Sequence, residues 1–134
     1  MRFNDPITIM LKTLILVGSG GAIGSILRYL AGTFITRQAG SLFPFGTFAI
    51  NLTGCLVIGI LAGLSEQRDL LSADTRLFLM IGLLGGFTTF SSFGLEAIQL
   101  IRGDEWLTAL VYAVTSAVCG IALAGLGFWL GSLK

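Results

Sequence analysis

Four long apolar runs, separated by short polar stretches, organise this chain. The first covers about residues 7–35, with Lys12 near its start and Arg28 inside it. The second covers 43–65 and carries no charge, the third covers 77–101 with Glu96 alone, and the fourth covers 107–131, again uncharged. Each is near or above the ~20 residues that a helix needs to cross a bilayer. The stretches 37–42, 66–76 and 102–106 connect them, and 66–76 is the longest and most polar. The pattern predicts an all-α membrane protein with four transmembrane helices in a single domain spanning 1–134. An even number of spans puts both termini on one side. No repeat and no linker to a second domain is visible.

Composition agrees with that solvent. Hydrophobic residues make up 54% of the 134 positions and charged residues 11%, against about 45–50% and about 25% in a soluble domain. One small core could not hide so much apolar surface, so lipid must solvate much of it. Arg2 and Lys12 and the apolar stretch after them superficially fit a leader peptide, but the stretch outruns an h-region of about 7–15 residues and is read as a span. Glycine is abundant, at 19 residues. Gly20 and Gly24, Gly59 and Gly63, Gly82 and Gly86, and Gly127 and Gly131 are each four apart, the spacing that lets membrane helices approach closely.

The net charge of +1 provides no basic field for nucleic acid. With no His, no paired carboxylates and no nucleophile–base pair, the chain does not read as an enzyme. Cys55 and Cys119 lie inside separate apolar runs and read as small buried residues rather than a disulfide or metal site. Orientation is weakly specified. With the N-terminus inside, Arg2, Lys12, Arg68, Arg76 and Lys134 face the cytoplasm against Arg37, Arg102 and a snorkelling Arg28. One fixed orientation and insertion both ways stay open on charge alone.

The third run holds the candidate chemistry. Gly85-Gly86-Phe87-Thr88-Thr89-Phe90-Ser91-Ser92-Phe93 places two glycines and four hydroxyl residues where a lipid-facing helix would be aliphatic. These residues weaken the helix locally, which predicts a break at membrane depth. Such a break is tolerated only when buried in protein or lining a wet cavity, and its freed carbonyls suit a hard cation. Phe90 and Phe93 share a helical face. A phenyl ring has a positive edge, so the pair can meet an anion without a full charge. On spacing alone, plain core packing of the phenylalanines stays open.

GGFTTFSSF, followed by Gly94-Leu95-Glu96, resembles the GGxTTFSTF signature of the CrcB/Fluc family of fluoride channels, with Ser92 where Thr is common. Gly20-Gly21-Ala22-Ile23-Gly24-Ser25-Ile26-Leu27-Arg28 is similar to the family's glycine-rich run ending in Arg. Gly46-Thr47-Phe48-Ala49-Ile50-Asn51-Leu52-Thr53-Gly54 is similar to its GTxxxNxxG element. The resemblance covers nearly the whole chain. It implies an antiparallel, dual-topology homodimer in a bacterial inner membrane, with two pathways for passive fluoride efflux and a central structural sodium ion (Na+). Phe90 and Phe93 would line each pathway, Asn51 would give amide donors, and Ser91 and Ser92 would add hydroxyls. The backbone carbonyls of Gly85 and Thr88 would hold sodium; an ion on a two-fold axis receives each ligand twice.

Arg28 and Glu96 are charges within spans, costing about 2.5–3.5 kcal/mol on insertion scales. The resemblance implies a vestibule for Arg28 and a place at the mouth of the fluoride track for Glu96; for each, snorkelling to the interface stays open. Tyr112 and Ser116, four apart in the fourth run, would continue a polar track. Two other classes compete. A small proton-coupled multidrug exporter needs a membrane-embedded carboxylate, and only Glu96 lies within the apolar runs. A non-transporting packing subunit would explain the glycines but neither Asn51 nor the third-run motif.

Overall fold

The computed structural model describes residues 5–133, which leaves Arg2 and Lys134 of the charge count, and the ends of the 1–134 domain, outside the described residues. The helices are α1 (Pro6–Ala39), α2 (Phe45–Glu66), α3 (Ala73–Arg76), a π-helical segment π1 (Leu77–Leu84), α4 (Gly85–Phe87), α5 (Phe90–Arg102) and α6 (Trp106–Ser132). α3, π1, α4 and α5 together make the third hydrophobic run, so four stretches are long and apolar enough to span a membrane.

Local chemistry sets the ends. Asp5 caps α1 by accepting from the Ile7 N–H, and Pro6 opens the helix where its missing N–H costs nothing. Gly40 closes α1 with φ 52°, a left-handed conformation that glycine adopts without penalty. With 34 residues, α1 is about 51 Å long at 1.5 Å per residue, well beyond a hydrocarbon core of about 30 Å. Its charged start pairs with the following polar stretch: Lys12 Nζ lies 2.5 Å from Asp74 of α3. Arg76 donates to Ser65 Oγ at the end of α2, so these ends share one side of the bundle.

The glycine pairs match up two by two. A Cβ at Gly59 or Gly63 of α2 would strike the α6 backbone, and one at Gly127 or Gly131 would strike α2. Likewise Gly20 and Gly24 of α1 meet the backbone of π1 and α4, with Gly82 and Gly86 facing back. Two backbone-tight pairs result, α2 with α6 and α1 with π1–α4, while α5 rests on α6. The third run therefore changes partner between α4 and α5. Thr88 (φ −87°, ψ 159°) and Thr89 (φ −152°, ψ 122°) are extended at that point.

The buried apolar core is small, built from Ile50, Leu84, Leu100, Ala109 and Tyr112. Most large apolar side chains of α1 and α6 face outward, as helices solvated by lipid should. α1 runs four residues beyond the 35 expected, and the third run begins at Ala73, within the stretch read as loop. Ser72 provides the reason, capping that start by accepting from the Thr75 N–H.

Candidate functional site

The site is built around the two extended threonines. Leaving the helix at Thr88 orphans the polar groups on either side, and each must find another partner. The Thr88 N–H and hydroxyl both donate to the Leu84 carbonyl, at 3.0 Å each. The Thr89 N–H donates to Asn51 Oδ1 at 2.9 Å, and Asn51 Nδ2 donates to the Thr89 carbonyl at 3.0 Å. One side-chain amide thus satisfies both backbone groups of Thr89, as a neighbouring strand would. Three residues on along α2, Gly54 leaves room for the Thr88 methyl group, which a Cβ there would overlap. Thr89 Oγ1 caps α5 by accepting from the Ser92 N–H at 3.1 Å. From α1, Arg28 Nε donates to the Gly86 carbonyl at 3.0 Å.

This bonding has a consequence for two other carbonyls. In an unbroken helix the Thr89 and Ser92 amides would donate to the carbonyls of Gly85 and Thr88. Here those amides go to Asn51 and to Thr89 Oγ1, which spares both oxygens. Gly85 and Thr88 border the same cavity. Hard, uncharged oxygens of this kind suit a monovalent or weakly bound cation. Among the described residues no cluster of three or more His, Cys, Asp or Glu offers an alternative metal site.

Two cavities flank the break, and Thr89 lies in the wall of both. The larger, of about 520 Å³, is lined by Asn51, Gly85, Thr88, Phe90, Phe93 and Ser116 among mostly apolar neighbours. Its polar groups are neutral. Asn51 keeps one amide N–H beyond that given to Thr89. Ser116 Oγ is buried without a hydrogen-bond partner, alone in that among the described residues. The Phe90 and Phe93 rings are 5.5 Å apart and tilted by 33°, and Phe90 is 84% exposed. The smaller cavity, of about 450 Å³, takes the charges: Arg28, Arg37 and Glu96 line it with Thr47 and Ser92.

Glu96 does not snorkel. Its Oε1 accepts from Thr47 Oγ1 at 2.7 Å and its Oε2 from the Tyr112 hydroxyl at 2.8 Å. Tyr112 is fully buried, with its ring 5.0 Å from Phe93 and 5.3 Å from Phe43. It lines neither cavity, so it touches the aromatic pair through its ring and Glu96 through its hydroxyl. Ser91 is exposed and within hydrogen-bond distance of Thr89 Oγ1, 3.2 Å away, away from both cavity walls.

The sequence reading missed Thr47, Thr89, Arg37 and π1. Thr47 was findable, since it precedes Asn51 by four residues on one face of α2. Nothing in the aliphatic run Leu77–Leu84 signals π geometry; such segments often adjoin functional sites.

Comparison with known proteins shows the family to which the chain belongs. A family model described as CrcB-like protein, Camphor Resistance (CrcB), matches residues 15–128. A relative from Agrobacterium fabrum, named fluoride-specific ion channel FluC, is 50% identical over 117 residues, covering 87% of this chain and 93% of its own. Its namesake from Chloroflexus aurantiacus is 45% identical over 125 residues, covering 90% and 99%. That from Methylobacillus flagellatus is 48% identical over 114 residues, covering 84% and 89%. With a family match over most of its length and relatives aligned nearly end to end, this chain belongs to the CrcB family and is a multi-pass bacterial membrane protein.

Proposed function

We propose that this chain is a fluoride-selective channel that lets fluoride leave the cell passively, working as an antiparallel homodimer of dual topology. The observation that carries the reading is the larger cavity. It combines an aromatic wall at Phe90 and Phe93 with the spare Asn51 N–H and the unpartnered Ser116 hydroxyl, and it holds no fixed charge. A buried hydroxyl without a partner costs about 1–3 kcal/mol, a cost offset when an anion or water visits it. Several weak donors can replace part of the hydration shell of a small anion. Because each is weak, the ion can also leave, as conduction requires. The names of the relatives support fluoride as that anion.

The charges have a separate place in this reading. Arg28 and Arg37 line the smaller cavity, where they draw anions toward the break. Ser92 then offers its hydroxyl within the smaller cavity and Thr89 at the wall between the two, and Ser91 lies beside Thr89 on the exposed side. Glu96, bonded to Thr47 and Tyr112, stands at the mouth and holds Tyr112 against Phe93. A second copy would cover the exposed Phe90. The spared carbonyls of Gly85 and Thr88 fit a sodium ion, which would supply a fixed positive charge that stiffens the break and is not itself transported.

The test is fluoride efflux from liposomes that contain the purified protein. Fluoride should leave rapidly, chloride should stay, and a pH gradient should not drive the flux. Equal chloride flux would refute selectivity, and strict dependence on a proton gradient would favour an exporter built on Glu96.

A further inference from the structure

α1 packs directly against the helix end that precedes the break. Gly21 and Gly24 let α1 lie directly on the backbone of Gly86, Leu83 and Phe87. Arg28 follows Gly24 by one helical turn on the same side. Its Nε reaches the Gly86 carbonyl at 3.0 Å in a half-buried setting. In a continuous helix that carbonyl would accept from the Phe90 N–H, but two extended residues separate α4 from Phe90. The carbonyl also sits at the negative end of the helical run 73–87, where a guanidinium is favoured.

We infer that Arg28 is a positioning residue of the ion path, holding the broken end of α4 through the Gly86 carbonyl and so setting the direction of the neighbouring free carbonyls of Gly85 and Thr88. The part concerning an ion rests on the sodium reading above. Gly85 O and Gly86 O belong to adjacent peptides, so fixing one restricts the other. An unheld Gly86 carbonyl would be free to turn and compete as a ligand. The role depends on a donor at the ε position, not on charge as such.

Two substitutions separate donor from charge. Gln places its amide nitrogen the same number of bonds from Cα as Arg Nε, so Arg28→Gln keeps the donor and loses the charge. Lys carries its nitrogen one bond further out, so Arg28→Lys keeps the charge and misplaces the donor. Wild type and both variants are purified in detergent, and two quantities are read. One is amide hydrogen exchange over residues 84–92. The other is melting temperature against NaCl, with choline chloride holding ionic strength constant.

Arg28→Gln should match wild type within about threefold on both, whereas Arg28→Lys should exchange about tenfold faster and need about tenfold more sodium for half of its stabilisation, the worth of one good hydrogen bond. The opposite order, with Lys intact and Gln impaired, would overturn the inference and leave Arg28 a charge in the vestibule. Two variants indistinguishable from wild type would overturn it as well. A wild type that does not respond to sodium removes the sodium reading alone. The order of exchange rates then still decides whether Arg28 positions the break.

Discussion

Asn51 offers the sharpest test of how the break is held. Replacing it with Leu keeps the approximate shape and removes both hydrogen bonds to Thr89, at 2.9 and 3.0 Å. The Thr89 N–H and carbonyl are then both unpaired, at about 1–3 kcal/mol each. The sum of about 2–6 kcal/mol corresponds to roughly 30-fold to above 10⁴-fold in the equilibrium between held and opened break. Asn51→Asp separates the two bonds. Its carboxylate still accepts from the Thr89 N–H but sets a second oxygen against the Thr89 carbonyl. It also brings a charge into a span, at about 2.5–3.5 kcal/mol on insertion scales. Both variants should lose fluoride flux. Amide exchange at Thr89 should rise strongly in Asn51→Leu and less in Asn51→Asp, because only the latter keeps an acceptor there. The assay pairs exchange in detergent micelles with efflux from liposomes. If Asn51→Leu exchanges like wild type at Thr89, the Asn51 clamp does not hold the break, and Asn51 acts only as a donor in the pathway.

Phe90→Ile should greatly reduce fluoride efflux while leaving the fold of each chain intact, because the ring is 84% exposed within one chain; Phe93→Ile should lose efflux and also about 0.5–1.5 kcal/mol of stability from its contact with Tyr112. Undiminished efflux in both would reduce the aromatic pair to packing. Thr47→Val should cost about 1.5–3 kcal/mol, the worth of a hydrogen bond to a charged group, and Tyr112→Phe a similar amount; a double variant whose loss falls well short of the sum would show that the two act through Glu96. A single cysteine at Arg68, in a background without Cys55 and Cys119, should be labelled from both sides of the membrane. Labelling from one side in every copy would rule out dual insertion.

Much of this protein is legible in the order of its residues because lipid leaves a chain few choices. Long apolar runs must become helices, since no other open structure satisfies its own backbone in hydrocarbon, and four such runs appear without any tertiary information. The glycine spacings marked the tight faces for the same reason, and the third-run motif marked where helix propensity fails. Which glycines meet was decided only in three dimensions. The pairs on α1 match π1 and α4, and those on α2 match α6, a choice between equivalent small-residue faces that no local pattern encodes. That choice takes the third run from α1 before the break to α6 after it. The same applies to the partners of the orphaned backbone. A sequence can show that Thr88 and Thr89 weaken a helix, but Asn51 lies 38 residues from Thr89 and Arg28 lies 58 from Gly86. Hydrogen bonds over such separations exist only once the helices have packed, because packing alone brings those atoms within reach of one another.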